Sequence, residues 1–205
     1  MSNVYIFSML IIDIEATGTN AQKHSIVSIG ALDLQNPTNR FYGECRMWSG
    51  AHVMEEALVV NGFTAAQIND PTKQSEAELV TQFMAWTMGL ADRTPAGQNV
   101  SFDRMYLVAA CGRAGIAFDL PFRTIDAHTL CYLHMTKRGL TPPFDSEHKH
   151  SALNLDGVMN YCGIPDEPDP HNAMTGAMSH GEVVSRLLYD KKLLPEFAHY
   201  EIPWL

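Results

Sequence analysis

Several features that mark particular classes of protein are missing from this 205-residue sequence. Basic residues are not in excess: 14 Lys and Arg stand against 23 Asp and Glu, and the formal net charge is −9. The chain therefore lacks the general basic footprint of a protein that binds duplex nucleic acid without regard to sequence. The four cysteines lie far apart and form no Cys-x-x-Cys pair. We expect them to be reduced, mostly core residues of a protein in a reducing compartment.

A long uninterrupted apolar run is also missing. The N-terminus is apolar, but no basic residue precedes the apolar stretch and Asp13 interrupts it, so we predict neither a secretory signal nor a membrane span. The chain shows no internal repeat, no low-complexity run and no linker. We therefore expect a single domain over residues 1–205, located in the cytoplasm and without a membrane partner.

What the sequence does contain is an alternation of strand and helix patterns. Three successive β-rich segments favour a unit of three antiparallel strands, and the segments that follow alternate between helical and short extended patterns. This order predicts the α/β class. The predicted long strands cover residues 5–14, 25–34 and 41–48; short extended pieces cover 94–101 and 122–127; helices cover 54–60, 75–86, 102–112, 126–135, 151–162 and 173–188.

Two carboxylates stand two residues apart at the end of the first predicted strand. Residues i and i+2 of a strand point to the same face, so Asp13 and Glu15 should project together. Two adjacent like charges at a buried strand end are costly unless a cation neutralises them, and hard oxygen ligands suit Mg²⁺ or Mn²⁺. Taken alone, the pair is explained better by a strand end with two solvated acids than by a metal site.

Two further segments carry candidate site residues. Asp103 lies in the first turn of a predicted helix that follows a short strand, where it is either a third metal ligand or a residue that stabilises the helix dipole. His171 lies on a loop ahead of the last helix, where it is either a surface histidine or a general base beside a metal.

Together, the three segments resemble the motifs of the DEDD superfamily of 3′→5′ exonucleases, in its histidine-bearing branch. Residues 13–18 (Asp-Ile-Glu-Ala-Thr-Gly) look like the first motif, residues 99–103 (Asn-Val-Ser-Phe-Asp) like the second, and residues 171–173 (His-Asn-Ala) like the start of the third. That branch includes ribonuclease T, oligoribonuclease, TREX-type DNases and polymerase proofreading exonucleases. The three motifs stand in the family's order, and the resemblance covers nearly the whole chain.

The resemblance implies a fold, an activity and cofactors. The implied fold is ribonuclease H-like, with a mixed central sheet of three antiparallel strands and then parallel strands, flanked by helices. The implied activity is metal-dependent release of 5′-mononucleotides from the 3′ ends of single-stranded or frayed DNA or RNA, with two Mg²⁺ or Mn²⁺ ions. In that mechanism Asp13 bridges both ions, Glu15 and Asp103 each hold one, and His171 takes a proton from the attacking water.

Substrate contacts and partners are also implied by the resemblance. The backbone around Ala16, Thr17 and Gly18 is expected to receive the terminal 3′-OH, Asn99 to hydrogen-bond substrate or fix its loop, and Phe102 to stack or wedge terminal bases. The expected partner is a nucleic acid with a single-stranded 3′ end. Several members of the family are dimers, so a homodimer is plausible. No residue decides between DNA and RNA, which a protein distinguishes by the 2′-OH.

One position departs from the family pattern. The family has its fourth carboxylate five residues after the histidine, and this chain has Gly176 there. Three explanations stay open: three carboxylates with additional water ligands, replacement by His180 one helical turn later, or a catalytically weak protein that binds nucleic-acid ends. The survival of the other four motif residues favours retained activity.

Overall fold

The structure is a computed structural model that describes residues 7–205. The first three strands are β1 (Leu10–Ala16), β2 (Ile26–Asp33) and β3 (Arg40–Glu44). They pair in antiparallel fashion in chain order, which confirms the predicted three-stranded unit. The predicted first strand, residues 5–14, starts outside the described residues; within them it begins later and runs to Ala16.

Two short strands extend the sheet on the other side of β1. They are β4 (Pro95–Gly97) and β5 (Ile125–Asp126), and the full order is β3-β2-β1-β4-β5. The pairs β1–β4 and β4–β5 are parallel, so the sheet is mixed as expected for a ribonuclease H-like fold. Strand β1 pairs with β4 only at Leu10 and Ile11. In the described chain no further pair joins these two strands, and β4 ends at Gly97. The carboxyl ends of such strands are where ligands bind in open α/β sheets.

Seven α-helices and one short 3₁₀-helix (Pro195–Phe197) lie within residues 7–205, and the bounds of the α-helices agree broadly with the sequence patterns. The predicted helix at 151–162 is wrong in its first part, because residues 150–151 pair with residues 144–145 in a small hairpin and the helix begins at Leu155. The shortest helix was not predicted. The helices are α1 (Glu55–Asn61), α2 (Ala65–Ile68), α3 (Glu76–Thr87), α4 (Val100–Ala114), α5 (Ala127–Lys137), α6 (Leu155–Tyr161) and α7 (Ala173–Tyr189); the hairpin strands are β6 (Phe144–Asp145) and β7 (His150–Ser151).

The alternation of β1 decides which face of the sheet carries the acids. Leu10, Ile12 and Ile14 pack into one hydrophobic core with α3 and α4, whereas Ile11 packs into a second core with α5, α6 and α7. Because side chains alternate along a strand, Asp13 and Glu15 share the face of Ile11, the face that α7 covers. The sheet therefore presents both acids to the last helix.

A buried ion pair fixes α7 to the chain that follows it. The side chains of Arg186 and Glu182 are both 0% exposed, and Arg186 Nε lies 2.7 Å from Glu182 Oε1. Arg186 also donates to four backbone carbonyl oxygens, and Glu182 accepts from two backbone amides after the helix, so the pair is fully hydrogen-bonded. This arrangement explains why Glu182 does not reach the site region. In the described part of the chain, no helix has the length and apolar character needed to cross a membrane.

Candidate metal-binding active site

The second motif reaches the first through a single hydrogen bond. Asp103, in the first turn of α4, is buried, and its Oδ1 accepts from the backbone N–H of Ile14 at 3.0 Å. Ile14 lies between Asp13 and Glu15, so the bond fixes the third carboxylate beside the first two. The site thus forms at the carboxyl ends of β1 and β4.

The start of α4 is positioned by two unusual features. Asn99 adopts left-handed backbone angles (φ 50°) and turns the chain out of β4 into the helix. Asp126 then bridges two helix starts: its Oδ2 accepts from the Val100 amide at 3.2 Å and its Oδ1 from the His128 amide at 3.0 Å. Acceptors at helix N-termini satisfy amides that have no partner inside the helix.

Glycines allow α7 to approach the acids closely. Gly30, opposite Asp13 on β2, would place a Cβ 2.0 Å from the carbonyl oxygen of Ala173. Gly176 would place a Cβ 2.2 Å from the Asp13 Oδ2. Both distances are far below ordinary van der Waals contact, so a side chain at either position would push the helix or the Asp13 carboxylate away. The start of α7 therefore packs directly onto the acidic part of the sheet.

His171 stands at the entrance of this helix. Its backbone N–H donates to the Val60 carbonyl oxygen at 2.9 Å, which anchors the loop to the end of α1. Its side chain is 37% exposed, with Nδ1 4.0 Å from Glu167 Oε2 and Nε2 3.8 Å from Asp169 Oδ1. The imidazole is thus half-buried between the cavity and solvent, as a group that exchanges protons with solvent requires.

A fourth carboxylate, Glu167, enters the site from the loop between α6 and α7. Its side chain is only 3% exposed, and its Oε1 accepts from the Thr175 hydroxyl at 3.0 Å. Sequence reasoning missed it, because an irregular segment rich in proline and acids gives no periodicity from which an inward direction can be read. The one available signal was an acid four residues before the histidine.

These groups line one small cavity of about 230 Å³. It brings together Asp13, Glu15, Asp103 and His171, as predicted, and adds Glu167. The remaining lining residues are Ile14, Gln98, Asn99, Phe102, Leu155 and His180.

The electrostatics of the cavity are those of a site that needs a cation. Burial raises the pKa of Asp13 well above its usual range, and the carboxylates of Asp103, Glu15 and Glu167 raise it further. Burial also raises the pKa of Asp103, and burial together with the Glu167 carboxylate raises the pKa of Glu15 to about 8. Each shift reports that the charged form is destabilised by lost hydration and like charge.

His180, one helical turn after Gly176, is a buried residue of the cavity wall, and its role as a replacement ligand stays a prediction. It is 2% exposed, and its Nδ1 lies 3.0 Å from the Ile12 carbonyl oxygen. Burial lowers the pKa of His180 to about 4, so the ring is neutral. A neutral ring can donate to the Ile12 carbonyl only if its proton is on Nδ1. The resulting hydrogen bond connects α7 to β1. Its established contact is therefore structural, at the edge of the cavity.

The first-motif residues after Glu15 lie outside the cavity. The Thr17 side chain is 0% exposed: its hydroxyl donates to the His52 carbonyl oxygen at 2.7 Å and accepts from the Ser25 amide at 2.9 Å. The Thr17 amide donates to the Ser25 carbonyl oxygen. Ala16 is buried, and its carbonyl oxygen accepts from the Asn61 side chain at 3.0 Å. The polar groups of Thr17 therefore hold the turn after β1, and its expected role in receiving the 3′ end stays a prediction.

Gly18 likewise serves the turn. A Cβ there would lie 2.5 Å from the His24 ring, and the Gly18 carbonyl oxygen accepts from the Tyr106 hydroxyl at 2.5 Å. Phe102 packs on the Tyr106 ring, with centroids 4.8 Å apart, and its other side lines the cavity. Of the five predicted substrate contacts, Asn99 and Phe102 are the two that the structure places at the cavity wall.

A wider cavity continues from the acidic one. Its volume is about 560 Å³, and it shares Gln98, Asn99 and Leu155 with the acidic cavity. The Gln98 amide nitrogen donates to the Leu153 carbonyl oxygen at 3.1 Å, whereas its buried Oε1 has no partner within the described residues. The two cavities form a groove that ends at the carboxylates.

A second group of possible metal ligands lies on the β6–β7 hairpin. Asp145, His148 and His150 have ligand atoms within 4.8 Å of one another, and theirs is the one such group of three found among residues 7–205. Asp145 accepts from the amides of Glu147 and His148 and from the His148 ring, so these contacts account for the turn of the hairpin.

Sequence comparison finds ribonucleases T among the relatives of this chain. No family model matches the chain. Ribonuclease T of Yersinia pestis is 28% identical over 165 residues, which cover 70% of this chain and 77% of that protein. Ribonuclease T of Escherichia coli K12 is 26% identical over 171 residues, with 72% and 78% covered.

Solved structures share the fold. Exonuclease I of E. coli in complex with a dA16 oligonucleotide superposes with a TM-score of 0.67 at 14% identity, and the match covers 87% of this chain and 40% of that one. Exonuclease I of Methylocaldum szegediense gives a TM-score of 0.66 at 18% identity, with 90% and 41% covered. The chain thus spans about two fifths of the Exonuclease I chains, and at this identity the likeness concerns the fold.

Proposed function

We propose that the chain is a member of the DEDD superfamily of 3′→5′ exonucleases and that it removes 5′-mononucleotides from 3′ ends with two bound divalent metal ions. The observation that carries the proposal is the cavity in which Asp13, Glu15, Asp103 and Glu167 converge beside His171. Cytoplasmic location and homodimer formation stay predictions.

The donor set fits hard divalent cations. All four candidate ligands are carboxylates, which suit Mg²⁺ and Mn²⁺. No three residues among Asp13, Glu15, Asp103, Glu167 and His171 have ligand atoms that all lie within 4.8 Å of one another. Ligands of two ions about 3.5–4 Å apart need a wider arrangement than the ligands of one ion. When bound, such ions would neutralise the acids and stabilise charge that develops on the scissile phosphate.

His171 is the residue we assign to proton transfer. It is the histidine of the cavity that retains solvent access, whereas His180 is buried and bonded to Ile12. His171 takes the proton of the attacking water and passes it to solvent. Glu167 and Asp169, on either side of the ring, favour its orientation towards the cavity.

The shape of the site suits chain ends. The acidic cavity has room for little more than one nucleotide phosphate and sugar, and the larger cavity that continues past Gln98 and Asn99 accommodates the strand behind it. Phe102 offers an apolar wall at the junction. Contacts of this kind tolerate any base sequence, and they leave the choice between DNA and RNA open.

A time course on a 5′-labelled single-stranded oligonucleotide tests the proposal. DNA and RNA versions are incubated with Mg²⁺, Mn²⁺ or EDTA, with the wild type, Asp13→Asn and, as a surface control, Asp119→Asn. We expect a metal-dependent ladder that shortens from the 3′ end in the wild type and the control, and no shortening in Asp13→Asn. Retarded migration without shortening in the wild type would instead support the alternative, a protein that binds ends without cutting them.

A further inference from the structure

We propose that Glu167 is the fourth metal-binding carboxylate of this site, supplied from the loop before α7 because Gly176 leaves the helix without one. The inference rests on the proposed exonuclease function. The family pattern has its fourth carboxylate at position 176, on α7. In this chain, Glu167 would supply that carboxylate from the preceding loop.

The structure leaves no free space for a side chain at Gly176. A Cβ at this residue would lie 2.2 Å from Asp13 Oδ2 and 2.7 Å from Asp13 Cγ. The space in which a side chain would start is therefore taken by the Asp13 carboxylate, which rests directly against the backbone of α7. A carboxylate that reached the cavity from position 176 would have to displace Asp13 first.

Glu167 reaches the same region by another route. Its Oε1 accepts from the hydroxyl of Thr175, the residue immediately before Gly176 on α7. Its Oε2 is left on the side of the cavity, 4.0 Å from the His171 Nδ1. The loop thus delivers a carboxylate to the first turn of α7, close to where the family pattern has its aspartate, and the helix itself holds it there.

The charge environment shows that Glu167 is a full member of the acidic group. After burial, its carboxylate is the main influence that raises the pKa of Glu15, and it also raises the pKa of Asp13. Burial raises the pKa of Glu167 itself, and the Thr175 hydroxyl and the His171 ring lower it. A carboxylate with 3% of its side chain exposed among three others is unfavourable without a cation to neutralise it.

A competing explanation is that Glu167 only positions His171. That role would use the contact between Glu167 Oε2 and His171 Nδ1, whose 4.0 Å separation is too long for a direct hydrogen bond. The two roles differ in one measurable property, since a positioning residue changes proton transfer but leaves the affinity for metal ions unaltered.

Metal titration of matched variants separates these roles. Mn²⁺ binding is followed by the EPR signal of the free ion, in wild type, Glu167→Gln, Asp13→Asn and Asp166→Asn. Glutamine keeps the shape of Glu167 and can still accept from Thr175, while Asp166 is an exposed acid on the same loop whose carboxylate accepts from the Asn160 side chain. Exonuclease rates and melting temperatures in EDTA are measured on the same samples.

We expect Glu167→Gln to weaken Mn²⁺ binding by roughly tenfold or more and to slow cleavage. It should raise the melting temperature in EDTA, because one of four carboxyl groups buried close together is gone. Asp166→Asn should match the wild type. Unchanged Mn²⁺ binding in Glu167→Gln would overturn the inference even if cleavage slowed, because Glu167 would then act only on His171. If Asp13→Asn also leaves Mn²⁺ binding and cleavage unchanged, the proposed function itself fails.

A second variant tests the site from the other side. If Glu167 already supplies the fourth carboxylate, Gly176→Asp adds a fifth acid in space that Asp13 occupies, and activity with Mg²⁺ should fall. A marked rise in Mg²⁺-supported activity would mean that the site lacks a ligand, and it would contradict the assignment of Glu167.

Discussion

Replacing Gly176 by alanine is the smallest change that tests how the catalytic acids are held. The new methyl group would start 2.2 Å from Asp13 Oδ2. Carbon and oxygen atoms in ordinary contact are about 3.5 Å apart, so the Asp13 carboxylate must move by roughly 1 Å. No other group lies among the three nearest atoms to this methyl.

The expected effects on stability and on activity have opposite signs. Alanine is favoured over glycine in a helix by about 1 kcal/mol. The clash involves the end of a side chain, which can rotate at a cost of about 1 kcal/mol. We therefore expect the free energy of unfolding to stay within about 1 kcal/mol of wild type. A displacement of about 1 Å in a reacting group costs about 100-fold in rate, so we expect cleavage to fall by about that factor.

The chain offers a matched control. Gly112 lies inside α4, and a Cβ there would meet no atom within 4 Å. Gly112→Ala should raise the free energy of unfolding, measured by urea denaturation, by about 0.5–1 kcal/mol, and leave the rate on a 5′-labelled oligonucleotide unchanged. If Gly176→Ala behaves in the same way, with a gain in stability and full activity, the backbone of α7 does not fix Asp13 and the reasoning is refuted.

Three further predictions concern charge, burial and the turn after β1. Burial and the Glu167 carboxylate raise the pKa of Glu15 from 4.5 to about 8. Between these two values, in EDTA, the folded protein keeps a proton that the unfolded chain releases. The contribution of Glu15 to stability is therefore fully present below pH 4.5 and is lost as the pH rises towards 8. Urea unfolding in EDTA at pH 5 and pH 8.5 should show that Glu15→Gln removes this loss; equal pH dependence in both proteins would contradict it. Arg186→Met should cost about 3–5 kcal/mol because it leaves the Glu182 carboxylate buried and unpaired, and urea denaturation should show a smaller loss when Glu182→Leu is added. Thr17→Val should destabilise the fold by about 1–3 kcal/mol and leave the cleavage rate per folded molecule unchanged. A loss of cleavage rate without destabilisation would show instead that Thr17 contacts the substrate.

The sequence predicted most of the framework because local signals agreed with the final packing. The alternation of β1 was enough to put Asp13 and Glu15 on one face, and the structure shows that this face meets α7. Ser75 and Glu78 form a capping box at the start of α3, a local signal with a fixed spacing in the sequence. Strand pairing also followed chain order, which is the simplest outcome for three consecutive β-rich segments.

What could not be predicted depends on where irregular segments point. Glu167 lies in a loop whose path is set by contacts with α7, and no periodic pattern reports the direction of its side chain. Thr17 was placed in the substrate site by its motif, but its burial under His52 and Ser25 follows from a turn that only the folded chain shows. The spacing of four residues places His180 one helical turn after Gly176, as predicted. The hydrogen bond between the His180 ring and the Ile12 carbonyl could not be predicted, because Ile12 lies far away in the sequence.

The hydrogen bond between His180 and Ile12 joins residues that are 168 positions apart. The first strand and the last long helix thus build one site, and nearly all of the described chain must be made before they can meet. Contacts of such large sequence separation form late and slowly, because a long loop has to close first. During synthesis, a ribosome-bound fragment without α7 would carry the acids of β1 but no enclosed cavity. The order of the chain therefore delays completion of the cavity until α7 has been synthesised.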